Sequence, residues 1–319
     1  MKINKKKFSL KKAFSLIELS IVILIIGILV AGVTQSSRLV LAMKLLSARS
    51  ITTSSPVSSI KDLYAWYDTV MEKSFIESEI SDGSQLSSWY DLNPFTISDK
   101  INLVQTDSAR KPIYRSSGIN GLPAIYFNGA YFLKSQSNVS PFFAGGSATL
   151  FIVFNSDDVA GQKFMVMYPI QNCAKNAEIG IGVANGASGN FGVHSGCGIG
   201  TISNGNLIVK SESTVISMVF LSSPLTPGTL ANIKIYKNGG SEQALVGSGG
   251  SYTQNMGGSY GSTLSPLLIG LRDDNNNGGY NSGFIGKMGE IIAFSRALNT
   301  EERKSVEKYL GKKWGIAVQ

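Results

Sequence analysis

Apolar and polar positions divide the chain into three patterns. From Phe14 to Val33, 20 residues, apolar side chains run almost unbroken, with one carboxylate, Glu18, inside the run. As a helix this stretch would span about 30 Å, the thickness of a bilayer's hydrocarbon core. The pattern then turns amphipathic. Leu39, Met43 and Leu46 follow at spacings of four and three, with Arg38, Lys44 and Arg49 elsewhere on the surface. The stretch 50–59, SITTSSPVSS, breaks it, because Pro56 cannot continue a helix and serine and threonine compete for backbone hydrogen bonds. One long helix over 14–49, a linker over 50–59 and a separately folded domain over 60–319 follow from this.

The third pattern is β. Short apolar runs lie between Gly, Asn and Ser clusters: Leu63–Tyr67, Ala124–Phe127, Thr149–Phe154, Glu178–Val183, Val215–Leu221, Ile233–Tyr236, Leu267–Leu271 and Phe284–Phe294. Their spacing predicts an antiparallel sandwich. The 35 glycines in 319 residues, well above the usual ~7%, suit one with many turns. Asn238-Gly239 marks a hairpin, since both residues accept positive φ at low cost. The tail differs. Asn299, followed three residues on by Glu302, reads as a helix cap, and Val306, Leu310 and Trp314 line one face. Lys312 and Lys313 suit the C-terminal dipole, and Gly315 ends the helix.

Charge changes the picture at one end only. The formal net charge is +8, but Lys2, Lys5, Lys6, Lys7, Lys11 and Lys12 precede the apolar run with no acid among them. Without these lysines the chain is nearly neutral. The basic balance is therefore a topology signal, with residues 1–13 cytoplasmic and the rest exported, and it implies no nucleic-acid partner. Glu18 is the odd residue. A carboxylate in a membrane helix is costly and calls for a partner.

This N-terminus, KKAFSLIELSIVILIIGILVAGV, resembles that of type IV prepilins and pseudopilins. The resemblance implies removal of a 1–13 leader between Ala13 and Phe14, methylation of the new amine on Phe14, and pairing of Glu18 with a neighbouring subunit's amine. It implies a prepilin peptidase/methyltransferase and other pilin subunits as partners, and a single-pass bacterial inner-membrane precursor that ends in a periplasmic or extracellular filament. Ala13 stands where glycine is commoner, and no proline lies near Gln35, which fits a minor pilin or pseudopilin. Three other readings of the segment compete: a cleaved signal peptide with Val30-Ala31-Gly32 at its site, a plain signal anchor, and a lipoprotein signal, which lacks the cysteine after Gly32. Type IV pilus and type II secretion pseudopilus share this signature and stay unseparated.

A second resemblance covers about 60–317. Trp66 in LYAWYD, Asp82-Gly83, Ser88-Trp89-Tyr90-Asp91, Arg110-Lys111-Pro112, Asn120-Gly121-Leu122-Pro123-Ala124, Phe127-Asn128-Gly129 and the block at 283–316 carry it. In this order they are similar to the laminin-G-like branch of the concanavalin A-like lectin/glucanase superfamily. The implied fold is a mainly β, antiparallel jelly-roll sandwich with a long N-terminal helix and a short C-terminal one. The implied partner is a glycan or a surface protein.

Candidate chemistry is sparse. Superfamily glucanases carry Glu-x-Asp-x-x-Glu on one strand, so that two carboxylates share a face. Here the nearest approach, Glu77-Ser78-Glu79-Ile80-Ser81-Asp82, lacks the pattern, and a solvated loop is expected. His194 is the only histidine and reads as a loop residue. The chain is therefore expected not to be an enzyme, with no catalytic residues and no cofactor apart from a structural calcium ion. Asp273 and Asp274, opening Asp-Asp-Asn-Asn-Asn-Gly-Gly, are the calcium candidates, against a plain hairpin tip. Cys173 and Cys197 are the only cysteines. Export would place them in an oxidising compartment, so a disulfide is expected, worth roughly 3.5 kcal/mol by chain entropy.

Overall fold

The computed structural model describes residues 15–140, 142, 147–161, 163–168, 179–183, 189–195, 198–203, 207–221, 233–247, 265–274 and 279–319. Helix α1 runs Leu16–Thr53. Two compact units divide the chain, one ending at Met43 and the other running Lys44–Gln319.

In the first unit the apolar side chains of α1 from Leu16 to Val30 stand exposed. Among the described residues no helix is long and apolar enough to cross a membrane. The span expected over Phe14–Val33 is thus not supplied by them.

The second unit is the expected antiparallel sandwich. Its first sheet joins, in order, β13 (Ile233–Lys237), β12 (Ser213–Phe220), β7 (Ala148–Ser156), β18 (Ile285–Phe294), β5 (Leu122–Asn128) and β4 (Ile113–Ile119). Strand β1 (Leu63–Asp68) pairs with the second half of β18. The other sheet joins β14 (Leu245–Gly247), β11 (Gly198–Ser203), β10 (Phe191–Ser195), β9 (Ile179–Val183), β8 (Lys163–Tyr168), β15 (Leu268–Ile269), β6 (Leu133–Ser135), β3 (Leu103–Val104) and β2 (Ser88–Trp89). A separate hairpin pairs β16 (Arg272–Asp274) with β17 (Gly279–Asn281).

Between the sheets lies a core rich in rings, with Tyr67 against Trp89 at 5.4 Å and Phe154 stacked on Phe191 at 6.1 Å. The first sheet is covered on its other face too. There Trp66, Phe151, Val153, Val215, Ile292 and Phe294 pack with Val306, Tyr309, Leu310 and Trp314 of α2 (Thr300–Trp314), and with Ala48 of α1. This explains why Thr149–Phe154 reads as a continuous apolar run and not an alternating one. Leu150, Ile152 and Phe154 face the other sheet, while Phe151 and Val153 face the helices.

The expected linker at 50–59 is a correction. The helix continues to Thr53, a 3₁₀ turn follows over Pro56–Ser59, and Thr52, Ser55, Val57 and Ile60 are buried in the domain. Pro56 occupies the start of the short turn, where a missing N–H costs nothing. The segment is a packed part of the sandwich.

The C-terminal helix begins as expected. The Asn299 side chain accepts from the Glu302 amide at 2.9 Å, and the Glu302 carboxylate accepts from the Asn299 amide at 3.1 Å. Gly315 ends it in the left-handed region, φ 63°. Asn238 and Gly239 both take positive φ and make the expected tight turn.

Candidate functional site

At the N-terminus Ser15 precedes α1, and Glu18 lies in its first turn. The Glu18 carboxylate accepts from the Ser15 backbone N–H at 2.8 Å, and the Ser15 hydroxyl accepts from the Ile17 amide at 3.4 Å. Glu18 therefore has a local donor as well as a favourable place at the positive end of the helix dipole. The Ser-x-x-Glu spacing of Ser15 and Glu18 signals this arrangement in the sequence. Ala13 and Phe14 lie outside the described residues.

In the second unit the densest polar cluster is buried where the end of α1, strands β1 and β18, and α2 meet. Asp68 and Glu290 are register partners on β1 and β18. Lys313 donates to Asp68 Oδ2 at 2.6 Å, to Glu290 Oε2 at 2.7 Å and to the Tyr309 hydroxyl at 3.1 Å. Glu290 also accepts from Trp66 Nε1 and Trp314 Nε1, each at 2.8 Å, and from the Tyr309 hydroxyl at 2.6 Å. Asp68 accepts from the Thr52 hydroxyl and the Val70 amide, both at 3.0 Å. The side chains of Lys313, Asp68 and Glu290 are all 0% exposed.

Burial pushes the Glu290 carboxyl above its usual range; Lys313 opposes this and Asp68 adds to it. Burial likewise drives the Tyr309 hydroxyl well up, reinforced by Glu290. Trp314 reaches Glu290 because residue 289 is glycine. A Cβ there would lie 2.4 Å from the indole Cη2. With no exposed surface on the charged groups, the cluster acts on the protein itself.

Sequence reading missed this cluster and gave Lys313 only the role of suiting the helix dipole. Lys313 does lie in the last turn of α2, and its ammonium points into the sheet. Of the residues singled out beforehand, Glu79 accepts from the Ser87 amide and hydroxyl at 2.8 and 2.6 Å, and Asp82 accepts from the Ser116 amide at 2.8 Å. They tie down a loop at separate points. Asp91 secures the turn after β2 by accepting from the Trp66 and Asn93 amides, both at 2.9 Å. His194 lies in β10 opposite Gly180, not in a loop. Asp273 and Asp274 belong to β16, opposite Tyr280 and Gly279, and residues 275–278 lie outside the described residues. Cys173 and Cys197 also lie outside them. Among the described residues no three His, Cys, Asp or Glu side chains group to hold a metal.

Residues 9–34 match the prokaryotic N-terminal methylation motif. The motif carries a pilin-type start, and behind it stands a β-sandwich domain. The comparison with curated proteins found no match. Solved structures similar in fold include domain 4 of AbnA, a GH43 extracellular arabinanase from Geobacillus stearothermophilus, in complex with arabinotriose. It is 15% identical over 77% of this chain and 98% of that one, with a TM-score of 0.46. Trypanosoma rangeli sialidase in complex with sialic acid is 13% identical over 79% of this chain and 33% of that one, TM-score 0.45. The native heptameric SAP-like pentraxin from Limulus polyphemus is 15% identical over 57% of this chain and 79% of that one, TM-score 0.40.

One expectation is corrected by these comparisons. The chain was expected not to be an enzyme because the paired-carboxylate strand motif is missing. The absence of one motif excludes no chemistry, and an arabinanase domain and a sialidase stand among the solved structures similar in fold.

Proposed function

We propose that the chain is an exported, membrane-anchored minor pilin or pseudopilin whose β-sandwich is the displayed module. The observation that carries this reading is the methylation motif at 9–34, with its acidic residue in the first turn of an exposed apolar helix. On this reading a peptidase cuts between Ala13 and Phe14 and methylates the Phe14 amine. Glu18 then exchanges its local Ser15 donor for the amine of a neighbouring subunit, and a desolvated ammonium–carboxylate pair sets the register of assembly. Apolar contact between helices supplies the cohesion once subunits leave lipid.

N-terminal sequencing of the mature protein tests the reading. Methyl-phenylalanine at Phe14 is the expected result, and a start at Lys2 or Val33 overturns it. Glu18→Ala is expected to leave cleavage intact and to remove the protein from the sheared filament fraction. The sandwich is expected to take a glycan or surface-protein ligand, which a glycan array on the purified protein would read. Processing at Phe14 without recovery in filaments would favour an anchored adhesin.

A further inference from the structure

The cluster at Lys313 places a primary amine, two carboxyl groups and no exposed surface within one hydrogen-bonded site. The geometry points to an intramolecular amide between the side chains of Lys313 and Asp68, formed by the protein itself with Glu290 as the proton carrier.

Two carboxylates and one ammonium enclosed by the indoles of Trp66 and Trp314 leave unbalanced charge in a dry site. Desolvation there favours neutral forms over ions. Proton transfer from the ammonium to Asp68 needs no movement, because Lys313 Nζ already donates to Asp68 Oδ2 at 2.6 Å. It yields a neutral amine beside a neutral carboxylic acid. Holding the two in contact replaces a bimolecular encounter by a unimolecular one, which is the largest obstacle to uncatalysed amide formation that geometry can remove.

The step balances as follows. Nζ attacks Cγ of Asp68 and a tetrahedral intermediate forms. Glu290, 2.7 Å from Nζ, takes a second proton from the nitrogen and delivers it to the departing hydroxyl. The Cγ–Oδ2 bond breaks, and the oxygen leaves as water. Of the ammonium's three protons, two leave in that water and one remains on the amide. No oxidant or co-reactant takes part, and Glu290 ends as it began. The upward push that burial gives the Glu290 carboxyl suits a group that must accept and return a proton.

The division of roles between the carboxyls follows from their partners. Glu290 accepts from four donors: Trp66, Tyr309, Trp314 and Lys313. Losing one of its oxygens would strand buried donors, so it is the fixed base. The Asp68 oxygen nearest the amine has one other donor, Thr52, whose hydroxyl also lies 3.5 Å from that of Tyr309. Asp68 is therefore the acyl partner.

Peptide mapping of the purified full-length chain tests this without any variant. Trypsin is expected to yield residues 62–73 joined to residues 313–319 as one species, lighter than their sum by one water, with the linkage assigned to Asp68 and Lys313 by fragmentation. Cleavage after Lys313, with residues 314–319 released free and 62–73 at full mass, overturns the proposal. A linkage to Glu290 overturns the assignment of Asp68. Glu290→Gln is expected to abolish the joined species while near-ultraviolet circular dichroism still reports a packed fold. An undiminished yield of joined species in that variant refutes the proton carrier, and should the variant not fold, the wild-type map still decides the amide.

Discussion

Gly289→Ala adds one methyl group and isolates the contact on which the buried cluster depends. The new Cβ would lie 2.4, 2.7 and 2.8 Å from Cη2, Cζ3 and Cζ2 of Trp314. Ordinary carbon contacts lie at about 3.5–4.0 Å, so the ring must retreat by about 1 Å. It has no free space to enter, because Trp314 is 0% exposed. Overpacking of this kind costs about 1–3 kcal/mol. The retreat also stretches the 2.8 Å bond from Trp314 Nε1 to Glu290, and a hydrogen bond to a charged group is worth about 1.5–3 kcal/mol. The expected total loss is about 2.5–6 kcal/mol. The sign is diagnostic, since Gly→Ala inside a strand without a clash gains about 0.5–1 kcal/mol. Equilibrium urea denaturation followed by tryptophan fluorescence measures it. A second substitution, Trp314→Phe, makes room for the methyl group, so the double variant should lose less than the two single losses added together. A Gly289→Ala protein as stable as wild type, or additive losses in the double variant, would refute the packing argument.

Four other outcomes are expected. Arg303→Met leaves Glu307, 0% exposed and held by Arg303 at 2.5 and 2.6 Å, as an unpaired buried charge, and should cost about 3–5 kcal/mol in the same denaturation assay. Arg296 beside Glu302 holds that carboxyl below the usual range, so its contribution is present above the unfolded carboxylate pKa and lost as pH falls through the folded one. Glu302→Gln should therefore flatten the acid side of the stability–pH curve, by under about 1 kcal/mol for so exposed a pair. Adding millimolar calcium should raise the thermal midpoint if Asp273 and Asp274 bind it, and an unchanged midpoint removes the site. The triple variant Asp68→Leu, Glu290→Met, Lys313→Met should show doubled or broadened amide resonances by NMR; a single sharp set would refute a registering role for the cluster.

What the sequence disclosed depended on how each strand is buried. β7, β12 and β18 lie in a sheet covered on both faces, so each is a long apolar run that stands out from its Gly and Ser neighbours. β9, β10 and β11 contain Gly180, Gly182, Gly192, Gly198 and Gly200, and the glycines dilute any alternation. β2 and β3 are two residues each and leave no periodic trace. The linker misreading has a similar cause. Hydroxyl residues at 50–59 look solvated, yet Thr52 is buried because its hydroxyl meets Asp68. The cluster itself could not be read from spacing. Its members stand at 52, 68, 290 and 313, and each alone resembles an ordinary surface polar residue. The clue available was the tail, where Lys313 sits on the same helical face as Tyr309, Leu310 and Val306, a position that a solvated lysine has no reason to occupy.

Stability alone does not account for a buried ionic cluster, because apolar residues of similar volume generally do as well or better. Register does. In a sheet with one wet face, a slip by one residue exposes apolar side chains and is penalised at once. The first sheet here has no wet face where β1 meets β18. Leu63, Trp66, Ile292 and Phe294 pack on one side, and Ala65, Tyr67, Ile291 and Ala293 on the other, so a slipped pairing would still bury apolar groups. Both strands are also irregular, with shifts between Leu63 and Ala65 and between Met288 and Glu290. Hydrophobic pattern is therefore a weak guide to alignment at this junction. Asp68 opposite Glu290, with one lysine satisfying both, is a condition that only one register meets. The same condition fixes α2 through Lys313 and Tyr309, and the last turn of α1 through Thr52, so a single polar arrangement aligns the first and last elements of the domain at once. An amide across Asp68 and Lys313 would make that alignment permanent after folding has selected it.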